Sequence, residues 1–193
     1  MAISPQITNL VIILGMMQVS KKIPMEDPDT MNLIRAGYLL SNAIIISIYA
    51  YTHYLINKKK DLTTLKYVDT PPMGSADTTG KVVTTTVHSY DVEQMKSLYK
   101  AQMMGVGMMA VMHLYFKYTN PLLIQSIIPL KGAFEGNEIQ IHLFGKPAIG
   151  DLKRPFKAAA GLMSSLGGAA APVQDKKTIE KSEKAGRGGV KDE

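Results

Sequence analysis

The chain contains no cysteine, which excludes disulfides and thiolate metal sites outright. It also lacks an Asn-x-Ser/Thr sequon, so no glycan marks which side of a membrane a segment faces. The four histidines, His53, His88, His113 and His142, lie in different segments, and none has the i, i+4 partner of a zinc helix. No Gly-rich loop stands between a strand and a helix, where a phosphate would be cradled. Neither a catalytic constellation nor a metal or cofactor site is expected, and the chain reads as a non-enzyme. The N-terminus has no basic n-region and no small-x-small site follows its first apolar block, so that block is expected to stay attached.

Charge is missing where it matters most. Residues 101–116 carry no formal charge at neutral pH and hold five of the methionines: Met103, Met104, Met108, Met109 and Met112. Mean hydropathy near zero averages over apolar blocks at 3–19, 31–56 and 101–130 and the strongly polar stretches between them. A helix needs about 20 apolar residues to cross a hydrocarbon core roughly 30 Å thick, a length that 31–56 meets and 3–19 and 101–116 nearly meet. A soluble helical bundle is the alternative. Against it stands the run Ile44, Ile45, Ile46 and Ile48, flanked by Tyr38, Tyr49, Tyr51 and Tyr54, a pattern suited to lipid with aromatic interface anchors.

The reading that follows is an all-α integral membrane protein with a membrane domain over 1–135 and helices at about 5–20, 28–57, 91–118 and 121–134. Ser4 with Pro5, Asp27 with Pro28 and Asn120 with Pro121 have the cap-plus-proline pattern of helix starts. Asp91 and Gln94 have capping-box spacing. The polar excursion 58–90 contains KVVTTTVH (81–88), whose β-branched residues fit a short strand, and EIQIHLF (138–144) alternates like a half-buried strand. A basic segment follows over 136–157, then a flexible charged tail over 158–193 in which Ala, Gly and Ser give way to alternating charges.

Lysine and arginine set the orientation. Seven basic residues lie in 57–100 and eleven from Lys131 onward, against Lys21, Lys22, Arg35 and Lys117 on the other side. The excursion and the tail are therefore expected in the cytosol, with 97–118 descending and 121–130 returning as a short arm kinked at Pro129.

Polar groups inside apolar helices are costly and tend to face an interior. On the second helix, Arg35, Tyr38, Asn42, Tyr49 and His53 share one face; on the third, Gln102, Met109, His113 and Lys117 do. These residues, with Gln125 on the return arm, are candidates to line a wet groove. The alternative is that they hydrogen-bond between helices while Arg35 and Lys117 snorkel to an interface or pair with Glu26, Asp27 and Asp29. The five methionines offer a flexible wall for apolar guests, or else face lipid. Gly105 and Gly107 are expected to allow close helix approach. Lys58, Lys59, Lys60, Lys146, Lys153, Arg154 and Lys157 are candidates to meet an anionic surface, lipid headgroups or ribosomal RNA.

Several segments then carry a resemblance: MEDP (25–28), TTLKYV (63–68), HLYFKYTNPL (113–122), IHLFGKPAIGDLKRPFK (141–157) and DKKTIEKSEKAGRGGVK (175–191). Together they resemble the fungal family first labelled inorganic phosphate transport proteins, also known as the third component of the SRP-independent (SND) targeting route to the endoplasmic reticulum. The resemblance implies a multi-pass protein of that membrane which helps direct or insert membrane proteins. Its implied partners are the Sec61-type translocon, the ribosome, other SND components, nascent membrane-protein clients and membrane lipids. The order of helices is similar to the three-helix core of small membrane insertases, built here from the second helix, the third helix and the short return arm, beside a short N-terminal membrane helix and a basic cytosolic tail. A ribosome–translocon scaffold and a phosphate transporter subunit or maturation factor are the alternatives. The family contributes no catalytic residues.

Overall fold

The computed structural model describes residues 5–24, 26–69 and 81–156. It is mostly helical, with one two-stranded sheet, and divides into two units: residues 1–58 with 92–144, and residues 59–91 with 145–193.

The first unit is built from α1 (Pro5–Ser20), α2 (Pro28–Lys59) up to Lys58, α3 (Val87–Leu114) from Val92 onward, α4 (Asn120–Glu135) and α5 (Asn137–His142). Asp27 starts α2: its Oδ2 accepts from the Thr30 backbone N–H at 2.9 Å and from the Thr30 hydroxyl at 2.7 Å. Pro28 fills the next position, where its missing N–H costs nothing. At 32 residues, α2 is about 48 Å long. Among the described residues it is the one helix long and apolar enough to cross a membrane. Ile34, Ser41, Asn42, Ile45, Tyr49, Thr52 and Ile56 are its buried residues, and from Asn42 to Ile56 they follow the alternating three- and four-residue steps of a left-handed supercoil seam. The outer side exposes Leu33, Leu39, Leu40, Ile44 and Ile46.

Two hydrophobic clusters hold α2, α3 and α4 together. Ile34, Met109 and Leu122 form one; Ile45, Tyr49, Ile56, Met95, Ala133 and Ile139 form the other. α4 also packs on α1, where Lys131 Nζ donates to Asn9 Oδ1 at 3.0 Å and pairs with Glu135 at 2.6 Å. α4 continues across Pro129.

Several local expectations are corrected. α3 starts at Val87 because Thr86 caps it, its Oγ1 accepting from the Ser89 N–H at 3.1 Å; Asp91 is inside the helix and does another job. At the other end α3 stops at Leu114. Lys117 adopts a left-handed φ of 57° and the Tyr118 N–H bonds to Met112 O at 3.1 Å, so Lys117 leaves the helix face on which spacing put it. Thr119 stands at the N-cap position of α4 without a side-chain cap hydrogen bond, and Asn120 is already helical. The segment 138–144 is not a strand. Residues Asn137–His142 form α5, which buries Glu138, Ile139 and Ile141. The physical reason is tertiary. A short apolar run fits either period, and Ile139 is drawn into the α2–α3–α4 core, with no strand among the described residues to pair with its backbone. Ile139 Cδ1 also comes so near Gly136 that a Cβ there would meet it at 3.1 Å.

The second unit amends the all-α expectation. β1 (Thr64–Asp69) pairs antiparallel with β2 (Lys81–Thr86), Leu65 opposite Thr85 and Tyr67 opposite Val83. Leu65 and Val68 are buried. Asp61 Oδ1 accepts from the Thr63 N–H and hydroxyl at 3.0 and 2.6 Å, and that hydroxyl bond, with the backbone one behind it, holds the Asp61 carboxyl below the usual aspartate range. Tyr90 stacks edge-on against both Tyr67 and Phe156, and its hydroxyl accepts from the Phe156 N–H at 2.8 Å. A single 3-10 turn (Gly150–Leu152) precedes Arg154.

Candidate functional site: the polar seam of α2 and α3

The two helices meet with opposite polarity, and polar side chains are spaced along the meeting line. At one end Arg35 Nε donates to His113 Nε2 at 3.0 Å, and Arg35 Nη1 donates to Asn32 Oδ1 at 3.2 Å. His113 Nδ1 faces the Tyr118 carbonyl oxygen at 3.1 Å. Arg35 can only donate and the carbonyl can only accept, so this geometry requires a neutral imidazole with its proton on Nδ1. Further along, Gln102 Nε2 donates to Asn42 Oδ1 at 2.6 Å, while Asn42 Nδ2 bonds back to the Tyr38 carbonyl at 2.8 Å. At the far end Tyr49 and Tyr99 meet edge-on with centroids 5.7 Å apart, and the His53 ring lies 6.3 Å from Tyr99. The α4 helix joins through Ser41, whose hydroxyl donates to Ser126 O at 2.5 Å.

On α2 the pairing residues Arg35, Asn42 and Tyr49 rise in steps of seven, and on α3 their partners His113, Gln102 and Tyr99 fall by eleven and three, which keeps each polar group on the line of contact. The backbones stay more than 8 Å apart along almost the whole seam, so long side chains make the contacts. Gly105 and Gly107 take no part. They are exposed, with nothing within 4 Å of where a side chain would begin, and the expectation that they bring helices close is corrected.

Of the residues singled out by spacing, Arg35, Tyr38, Asn42, Tyr49, His53, Gln102 and His113 come together on this line. Lys117 and Gln125 do not: Lys117 sits in the turn beyond α3, and Gln125 is on the exposed side of α4. Neither Arg35 nor Lys117 pairs with Glu26, Asp27 or Asp29; the Asp27 carboxylate is taken by Thr30. Asn32 and Tyr99 were missed, although each stands three residues before a chosen one, on the same row.

The methionines split. Met109 and Met112 pack inward around Ile34 and Leu122, whereas Met103, Met104 and Met108 are at least 61% exposed. They form an outward stripe with Val111 and Leu114. On the outer side of α2, Leu40, Ala43, Ile44, Ser47, Ile48 and Tyr51, with Leu143, line an open apolar hollow of about 480 Å³.

The basic candidates divide as well. Lys58, Lys59, Lys60, Lys146 and Lys153 are exposed, and Lys157 lies outside the described residues. Arg154 is not a surface cation. Its guanidinium forks onto Asp91, Nε to Oδ1 at 2.5 Å and Nη2 to Oδ2 at 2.7 Å, with Asp91 only 1% exposed.

The family model described as Phosphate transport (Pho88) matches residues 3–190. SRP-independent targeting protein 3 of Saccharomyces cerevisiae is 48% identical over 98% of this chain and all of its own length. An SRP-independent targeting protein 3 homolog of Schizosaccharomyces pombe is 36% identical over 93% of this chain and 91% of its own. An uncharacterised protein of the same yeast is 46% identical over 87% and 83%. No solved structure matches. The chain, similar over nearly its whole length to all three relatives, belongs to the Pho88 family.

Proposed function

We propose that this chain works in SRP-independent targeting, as a multi-pass protein of the endoplasmic reticulum membrane that helps client membrane proteins insert. The observation that carries the reading is the 48% identity along the whole of a yeast protein named for that route. The Sec61-type translocon, the ribosome and other SND components are its proposed neighbours, and the C-terminal tail is proposed to be cytosolic.

The seam supplies a mechanism. Asn42–Gln102 and Arg35–His113 are side-chain bonds between helices whose backbones stand well apart. Such bonds contribute only about 0.6 kcal/mol each on average inside membranes, so they add little resistance to parting beyond the apolar packing around Ile45 and Ile34. Once parted, α2 and α3 offer amide, imidazole and guanidinium groups to the polar part of an entering segment. Met103, Met104 and Met108 lie on the outward side to receive its apolar part. The groove of this proposal is thus one that opens, closed at rest by its own residues.

The test uses the cysteine-free background. Single cysteines along 35–53 and 102–117 in sealed microsomes are exposed to a membrane-impermeant maleimide from the cytosolic side, with and without a nascent client. Labelling along the seam that rises with client is expected; protection throughout would overturn the opening. Replacing Arg35, Asn42 and His113 together by Leu is expected to cut client insertion several-fold while the protein still assembles.

The closed resting seam favours a second reading, a scaffold that contacts ribosome and translocon through its exposed lysines. That reading expects deletion of 146–193 to abolish function and the three Leu replacements to do nothing. Phosphate flux into vesicles containing the purified protein would instead establish the transport role in the family's description.

A further inference from the structure

We propose that Arg35 and Lys117 form a binding site for a phosphodiester, supplied by the headgroup of a membrane phospholipid. The inference rests on the membrane reading above but not on the insertion mechanism.

Arg35 is the one cation within the apolar length of α2. Its partners among the described residues are His113 and Asn32, both neutral in this arrangement, and no carboxylate reaches it. Two of its five N–H groups are thereby used, and the side chain is exposed. Among the described residues no carboxylate compensates this guanidinium, and because an uncompensated charge beside lipid is costly, the position favours an external anion. His113 positions it: the imidazole, held by the Tyr118 carbonyl at 3.1 Å, fixes the Nε edge and leaves the Nη edge to fork onto two oxygens.

The turn that binds His113 also carries the second cation. Lys117, next to Tyr118, is exposed and has no partner among the described residues, and its left-handed backbone directs the turn away from the helix. The same turn displays Tyr115, Phe116 and Tyr118, which are 79%, 56% and 58% exposed. Aromatic rings so displayed belong at the headgroup level of a bilayer. This places the two cations at the depth of lipid phosphates and selects a phospholipid over free inorganic phosphate.

Full-length protein, purified in detergent and stripped of lipid, would be titrated with phosphatidylcholine while thermal unfolding is followed. Parallel arms use dioleoylglycerol, which has the chains without the phosphate, and inorganic phosphate matched to chloride in ionic strength. Phosphatidylcholine is expected to raise the wild-type Tm, and the other two are not. Arg35→Gln and Lys117→Gln are each expected to raise the half-saturating lipid concentration roughly tenfold, and Arg35→Lys to recover part of the loss. Lys117→Gln keeps the test informative if Arg35→Gln does not fold, since the Lys117 side chain is exposed and has no partner among the described residues. Equal protection by dioleoylglycerol, or variants that respond like wild type, would overturn the site. Protection by inorganic phosphate that both variants lose would overturn the lipid assignment in favour of a free anion. Carbonate extraction of the wild type from microsomes reports separately on whether the membrane reading holds.

Discussion

Arg154 illustrates what a charge run conceals. In the sequence it is one of the cations of a basic stretch, with nothing to distinguish it from Lys153. In the fold it is 11% exposed at the side chain, forked onto a carboxylate that is 1% exposed, with its guanidinium 5.8 Å from the centre of the Phe156 ring. Spacing cannot reveal a pair 63 residues apart, and the capping pattern of Asp91 and Gln94 offered a local role for the acid that Thr86 fills instead. A buried ion pair is weak evidence of net stability, but breaking one side leaves a buried charge behind, at about 3–5 kcal/mol. Asp91→Ala is therefore expected to destabilise the second unit by about that much, seen as easier proteolysis of 59–91 and a lowered Tm. Asp91→Leu with Arg154→Met should cost much less than Asp91→Ala. Equal losses would mean that the pair does not hold the unit.

At the scale of elements, the apolar helices were the legible part. Their long uncharged runs and, for α2, the Asp27–Pro28 start are local signals, read without knowledge of the fold. Strand β1 and helix α5 were not legible in this way, because TLKYVD needs β2 as a partner and NEIQIH needs the core that receives Ile139. The start of α2 carries a consequence for pH. Asp27 has its carboxyl held below the ordinary aspartate value of 3.8, first by the Thr30 hydroxyl and then by the Thr30 N–H. A depressed value in the folded state means that the ionised cap stabilises the helix start fully above pH 3.8. The contribution is lost as pH falls below 3.8 and through the folded value. Amide exchange at Thr30 in detergent is expected to show a protection factor that is flat at higher pH and falls below 3.8. Asn caps a helix as well as Asp does, so Asp27→Asn should flatten the profile. A wild-type profile already flat would mean that the cap is not formed.

For the whole molecule, the offsets of Arg35, Asn42 and Tyr49 announced a shared face, and the fold pairs that face with its counterpart on α3. What the offsets could not say was that the groups would satisfy one another, or that Gly105 and Gly107 would point away. The outward faces then decide what surrounds the protein. Leu33, Leu39 and Leu40 are 73%, 67% and 63% exposed, as is the Met103–Met104–Met108 stripe in comparable degree. In water, exposed leucines accept charge at a cost within about 0.5 kcal/mol. At the centre of a bilayer-spanning helix, aspartate costs about 2.5–3.5 kcal/mol each. Leu39→Asp with Leu40→Asp therefore separates the two environments. If lipid covers this face, the double variant should be several-fold depleted from carbonate-resistant membranes, with less protein surviving at steady state. Thr84→Asp, at an exposed position on β2, should behave as wild type. A double variant that is as stable and as membrane-associated as wild type would show that lipid does not cover α2 there, and the proposed targeting role would then have to be carried out from the membrane surface.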